Sequence, residues 1–98
     1  MSDNFLKDQP ELTLEDVCEC CGLSADTVIT YVHEGLVDVR GKDATGWRFS
    51  QTHMVHIKKA SRLEQDLRLN PAGSVLVLEL LSQIDDLKNQ IKRFEQQQ

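Results

Sequence analysis

Apolar positions in the first third of the chain recur at intervals of three and four residues, which is the period of helices with one buried face. Thr13 followed by Asp16 is typical of a capping box that opens the first helix. Ser24 is a suitable cap for a second helix, which should stop at Gly35. The pattern therefore predicts a helix-turn-helix. The expected inward residues are Leu14, Val17, Cys18, Cys21, Val28, Tyr31, Val32 and Leu36.

Alternating apolar and polar positions follow the predicted helix pair. Residues 37–40 and 47–49 each alternate, and the polar segment between them contains two glycines. This pattern predicts two short strands around a polar tip, which together form a wing. Trp47 and Phe49 should face the core, and Arg48 should lie on the outer face.

Two longer helices are predicted for the second half of the chain. The third should be capped by Ser50 or Thr52 and end near Leu69. Asn70 and Pro71 suit the cap and first position of a fourth helix, because proline has no N–H to lose there. Apolar residues along that helix form a heptad seam, which favours a two-stranded coiled coil. The predicted dimerisation residues are Val77, Leu80, Ile84, Leu87, Ile91 and Phe94.

The combined pattern predicts a mainly α fold, a winged helix-turn-helix followed by a dimerising C-terminal helix. We expect a flexible N-terminal arm over residues 1–11, the head over 12–69 and the coiled coil over 70–98. A chain of 98 residues buries too little surface for a very stable isolated monomer. A dimer or another partner would therefore add stability.

Negative charge is concentrated in the predicted helix-turn-helix. Between Pro10 and Arg40 seven carboxylates stand against one guanidinium, which leaves −6, whereas the whole chain carries −5. DNA-binding versions of this motif offer cationic and amide side chains to phosphates and base edges. This surface instead favours a basic protein partner. The predicted partner-binding residues are Glu15, Asp16, Glu19, Asp26, Glu34 and Asp38, with Ile29 as an apolar anchor beside them.

Two other interpretations of these charges remain open. An acidic helix face can serve solubility alone. The alternative function is a dimeric transcription factor whose phosphate contacts come from Lys42, Arg48, Lys58 and Lys59. Such a protein would bind duplex DNA at low salt, with an affinity that falls steeply as salt rises.

Residues suited to metal binding or catalysis lack the spacing that those sites need. Cys18, Cys20 and Cys21 have no second ligand pair for zinc, so we expect two small core residues and an exposed Cys20. His53 and His56 have no third ligand at suitable spacing. There is no nucleophile elbow and no glycine-rich phosphate loop. We therefore predict a protein that is not an enzyme and uses no metal or cofactor, with a cysteine-based sensor as a further alternative.

The distribution of apolar residues also bears on localisation. The longest apolar run, residues 75–78, is far shorter than the roughly 20 residues of a membrane span, and the polar first ten residues do not form a signal peptide. We therefore expect a soluble cytoplasmic protein with reduced thiols.

The helix-turn-helix, the wing at residues 46–49 and the terminal heptads together resemble the MerR-type winged-helix head. In the second helix, Asp26, Ile29 and Thr30 stand where MerR-type regulators commonly carry Arg, Arg and Tyr for the DNA backbone. The resemblance thus extends to the fold but not to the DNA contacts.

A closer resemblance is to the chaperone-modulator family CbpM, over roughly residues 12–94. Its most specific part is the string RLEQDLRLNPAGSVLVLELLSQIDDL, residues 62–87, combined with the wing at 47–49. A proline often found after the Gly-Leu-Val turn of that family is absent here, where Val39 and Arg40 stand. That departure affects the expected path of the wing.

The resemblance implies a small homodimeric inhibitor of CbpA, a DnaJ-like co-chaperone that also binds the nucleoid. Members of this family bind the J-domain, block its stimulation of the Hsp70 ATPase and suppress DNA binding by the co-chaperone. The resemblance agrees with a cytoplasmic protein, and it allows association with the nucleoid through the partner. J-domains present a basic helix where Hsp70 docks, so an acidic surface would compete for that helix.

Overall fold

The computed structural model describes residues 8–97 of the chain, and most of the predicted arm, residues 1–7, lies outside the described residues. The described part is mainly helical, which confirms the predicted fold class. None of the helices within it is both long and apolar enough to cross a membrane. The elements are α1 (Leu14–Cys21), α2 (Ala25–His33), a 3₁₀ turn (Ala44–Gly46), α3 (Gln51–Leu67) and α4 (Pro71–Gln96).

The helix-turn-helix forms as predicted, because neighbouring side chains satisfy the helix ends. The backbone N–H of Thr13 donates to Oδ2 of Asp16 (2.9 Å), and the N–H of Asp16 donates to Oγ1 of Thr13 (3.1 Å). The hydroxyl of Ser24 accepts from the N–H of Thr27 (3.2 Å) and begins α2. Gly35 follows the end of α2 with a φ of +84°, in the left-handed region that favours glycine.

The predicted two-stranded wing does not form in the described residues. Phe49 pairs with Leu12 instead, through N–H to carbonyl bonds of 3.0 Å from Leu12 and 2.7 Å from Phe49. Asp43 directs the intervening segment into the 3₁₀ turn, because its carboxylate accepts from the N–H of Thr45 (3.1 Å). Residues 37–40 keep the alternating burial of a strand but have no regular secondary structure. The pattern is therefore correct about which side chains are buried and wrong about the pairing.

The starts of the two longer helices follow local capping rules. Ser50 caps α3, and its hydroxyl accepts from the N–H of His53 (3.0 Å). Asn70 caps α4, and its Oδ1 accepts from the N–H of Gly73 (2.7 Å), with Pro71 in the first turn. The predicted start of α4 is confirmed.

A small core lies between the head helices and the start of α4. Trp47 and Phe49 are buried in it as predicted, and their rings meet edge to face with centroids 6.5 Å apart. Val75 of α4 is also buried, whereas every described residue from Glu79 onwards is exposed. The second half of α4 therefore projects beyond the head. The buried apolar residues are Val17, Val28, Tyr31, Val37, Trp47, Phe49, Met54, Ile57, Ala60 and Val75.

Candidate functional site

Two exposed carboxylates on α1 form the clearest part of the acidic surface. Glu15 and Glu19 lie one helical turn apart, on the side opposite the fully buried Val17. Like charges at this spacing weaken an isolated helix by roughly 0.2–0.5 kcal/mol. Glu19 also lies in the last turn of α1, where exposed carbonyl groups disfavour an anion and where no basic residue compensates. Glu15 lies in the first turn, where the helix dipole favours an acid, so Glu19 is the charge that does not help α1 to fold, which favours a role for it in binding.

Asp16 has a different role from its neighbours on α1. Its carboxylate accepts the hydrogen bond that closes the capping box, and this bond from the Thr13 backbone is the main reason why the pKa of Asp16 is lowered. Replacing Asp16 would therefore disturb the start of α1 as well as any docking surface. A test of binding is cleaner when it leaves this residue unchanged.

The outward side of α2 is less polar than the sequence suggests. Asp26 is exposed in the first turn, but the hydroxyl of Thr30 donates to the Asp26 carbonyl oxygen (2.8 Å) and is engaged within the helix. Ile29, the predicted apolar anchor, is half-buried and packs against the core. Only part of its side chain is therefore available to a partner. Periodicity places Ile29 at the border of the buried face, where a sequence pattern does not separate packing from docking.

The last two predicted acids occupy different surroundings. Glu34 is exposed at the C-terminal cap of α2, where its charge again opposes the helix dipole. Asp38 lies on the wall of an open cleft that is also lined by Arg40 and Arg48. Its charge therefore shares the cleft with two guanidinium groups. We use the name acidic surface for four of the predicted acids that are exposed, whose carboxylates take part in no described cap and that lie outside the cleft, namely Glu15, Glu19, Asp26 and Glu34.

The seam predicted on α4 is largely exposed. Its residues from Leu80 to Phe94 have 45–59% of their surface exposed, whereas Val77 is half-buried. Ser74 and Val75, which pack on the head, lie on another side of the helix and are 0% and 3% exposed. The head therefore leaves the seam uncovered. Soluble monomers rarely expose a contiguous apolar patch of this kind.

The cysteines take the positions that the helical period predicts. Cys18 and Cys21 are half-buried against the core and Cys20 is exposed. Burial raises the pKa of the Cys18 and Cys21 thiols, which makes both poor nucleophiles at neutral pH. Within residues 8–97 no three His, Cys, Asp or Glu side chains form a group that could hold a metal ion.

Sequence reasoning missed the role of His53. The N–H of Ser50 donates to Nδ1 of His53 (3.1 Å), so the ring completes the capping box of α3. The usual sequence signal for this role is Glu or Gln three residues after the cap, and histidine at that position is not part of the signal. Arg40 was also missed, because nothing in the local pattern shows that it and Arg48 line the same cleft.

Comparison with known proteins agrees with this architecture. A family model described as MerR HTH family regulatory protein matches residues 12–96, which includes the head and nearly all of α4. The fold and this match define the class as a MerR-type helix-turn-helix protein.

The similar proteins identify a more specific family than the family model does. The chaperone modulatory protein CbpM of Pseudomonas entomophila (strain L48) is 34% identical over 80 residues, which cover 82% of this chain and 79% of that protein. CbpM of Pseudomonas putida (strain GB-1) is 30% identical over the same shares of the two chains. CbpM of Coxiella burnetii (strain Dugway 5J108-111) is 27% identical over 90 residues, or 89% of this chain and 85% of that protein. The chain belongs to the CbpM family, as its sequence predicts.

Proposed function

We propose that this chain is a non-catalytic modulator of a chaperone system. Its partner is the J-domain of a CbpA-like, DnaJ-type co-chaperone. Binding blocks stimulation of Hsp70 and suppresses DNA binding by the co-chaperone. The names of its relatives as chaperone modulatory proteins support the chaperone-modulating role. The J-domain as the target rests on charge complementarity between the acidic surface and a basic helix.

The single observation that carries this function is the pair Glu15 and Glu19 on α1. Both carboxylates are exposed, and the placement of Glu19, one turn from Glu15 and in the last turn of α1, lowers helix stability. Charges of this kind raise the rate of encounter with an oppositely charged partner more than they raise total affinity. The acidic surface is therefore expected to act mainly on the association rate.

We further propose that the chain acts as a homodimer through the seam on α4. The exposed apolar side chains of the seam support this, as does the choice of β-branched residues at one heptad position and mostly leucine at the other. A dimer would cover the seam and present two acidic surfaces.

The experiment that tests this function is titration of the full chain with a purified J-domain, combined with stopped-flow association at several salt concentrations. Glu15→Lys with Glu19→Lys should slow association and flatten its salt dependence. Asp86→Lys with Glu95→Lys is the matched control, because it makes the same charge change at exposed positions of α4 that do not line the groove between α3 and α4. An α1 variant that binds like the unmodified chain would contradict a role for the acidic surface.

DNA binding is the second candidate, because the helix-turn-helix is intact and the family model describes regulatory proteins. Exposed cations for phosphate contacts are Lys42, Arg48, Lys58 and Lys59. A mobility shift with duplex DNA at about 50 mM salt separates the two functions. We expect no shift, whereas a complex that dissociates steeply as salt rises would support a transcriptional regulator.

A further inference from the structure

An open cleft of about 830 Å³ lies at the edge of the head, away from α4. Its walls come from the segment before α1, from residues 38–40, from residues 46–48 and from the start of α3. The side chains that line it include Asp8, Asp38, Arg40, Arg48 and His53. Glu15 and Glu19 do not line it, so the cleft is separate from the carboxylate pair on α1.

One wall of this cleft has the pattern of a strand that pairs with none of the described residues. Val37 is buried and Val39 half-buried, whereas Asp38 and Arg40 are exposed. Within residues 8–97, the main-chain N–H and C=O groups of residues 37–42 make no backbone hydrogen bond. An unpaired edge of this kind is a template for an added strand.

The charges of the cleft select the chemistry of an occupant. Two carboxylates, Asp8 and Asp38, stand with two guanidinium groups, Arg40 and Arg48. This balance disfavours a polyanion such as a nucleic-acid backbone, which the carboxylates would repel. It suits a polypeptide that carries one basic and one acidic side chain. Asp38 and Arg40 are two residues apart on the same face, so their cross-strand partners would also be two residues apart.

Two further contacts prepare the cleft for a peptide. The Nδ1 atom of His53 accepts from the Ser50 N–H, so the neutral ring carries its proton on Nε2 and can donate to a carbonyl oxygen. Arg48 donates from Nη1 to the carbonyl oxygen of Trp47 (2.8 Å), which restrains its guanidinium beside the cleft. Both side chains are therefore held in place before a ligand arrives.

We propose that this cleft binds an extended segment of a partner protein by strand addition. The segment pairs with the main chain of residues 38–40. It places a basic side chain at Asp38 and an acidic side chain, two residues away, at Arg40 and Arg48.

The test is selection of random heptapeptides displayed on phage against the full chain, followed by synthesis of the enriched peptide. The enriched sequences should carry a basic and an acidic residue at positions i and i+2. Asp38→Asn with Arg40→Gln should weaken binding of that peptide about tenfold or more. Lys59→Gln with Asp66→Asn is the matched control on α3, and it should leave binding unchanged.

Main-chain pairing is tested on the peptide itself, without altering the protein. Two versions carry N-methyl groups at alternate residues, so that each removes the N–H donors on one edge of the extended strand. One version should lose about tenfold or more in affinity and the other should bind normally. Equal binding by both versions would overturn strand addition.

Three other outcomes would also overturn the assignment of the cleft to a partner. One is a failure to enrich any peptide. Another is an enriched peptide that binds the Asp38 and Arg40 variant as well as it binds the unmodified chain. The third is binding that occurs only after removal of residues 1–7, which would identify the start of this chain as the occupant.

Discussion

At the scale of single residues, Tyr31 contributes its ring and not its hydroxyl to stability. The side chain is fully buried, yet its hydroxyl has no hydrogen-bond partner among the described residues. A buried polar group without a partner costs about 1–3 kcal/mol. Tyr31→Phe should therefore raise the free energy of unfolding, by up to about 1 kcal/mol, as measured by urea denaturation. A loss of stability in this variant would show that the hydroxyl is bonded.

His53 makes the start of α3 sensitive to pH. Burial lowers the pKa of His53, although the carboxylates of Asp8 and Asp38 oppose that shift, and the neutral ring is the form that accepts from Ser50. Because the folded-state pKa lies below the unfolded value of about 6.5, this stabilisation is complete above that pH. It is lost as the pH falls through the folded-state pKa.

His53→Gln separates the cap from the titration. Glutamine at this position can still accept from the Ser50 N–H but does not ionise. We expect the free energy of unfolding of the variant to fall less than that of the unmodified chain between about pH 7 and pH 5. Urea denaturation at several pH values measures this difference. Equal slopes for the two proteins would mean that His53 does not link stability to pH.

At the scale of secondary-structure elements, the charge of Glu19 lowers the stability of α1. Glu19→Lys would remove the repulsion from Glu15, create an attractive pair and place a cation in the last turn. The free energy of unfolding should rise by about 0.5–1 kcal/mol, while association with the J-domain slows. Thermal denaturation and stopped-flow mixing measure the two effects. A variant that gains stability and binds at the unmodified rate would mean that this carboxylate serves only solubility.

The elements that the sequence predicts well are those whose causes are local. Thr13, Ser24 and Asn70 each cap a helix through a bond from a residue three positions later, so the pattern contains both partners. The prediction of a two-stranded wing is wrong because the actual pairing is not local. Phe49 bonds to Leu12, which lies far from it along the chain, and an alternating pattern gives no information about such distant partners.

The candidate site was predictable to the same extent. Exposed carboxylates such as Glu15 and Glu19 follow from helical period and composition. The position of Asp38 in the same cleft as Arg40 and Arg48 depends on the path of the loop, which no periodicity specifies. The sequence therefore predicts that the surface is negatively charged, but it does not show which acidic residues lie on it.

At the scale of the whole molecule, the head and the projecting part of α4 differ in how their apolar residues are buried. The head buries its own core, and the contribution of α4 to that core ends close to Val75 and the half-buried Leu78. The radius of gyration, 15.7 Å, exceeds the roughly 13 Å of a compact chain of this length. The extended shape leaves the seam without a partner among residues 8–97.

Substitutions in the middle of the seam should therefore break the proposed dimer and leave the head folded. Ile84→Glu with Leu87→Glu places charges at two positions that a coiled coil would bury, whereas neither residue contacts the core. Sedimentation equilibrium should show a monomer, with only a small loss of helical circular dichroism from the projecting part of α4. Ser82→Glu with Asn89→Glu adds the same charges on the opposite side of the helix and should remain dimeric. A dimeric seam variant would exclude this face as the interface, because two buried carboxylates on each chain would cost several kcal/mol without a counter-charge.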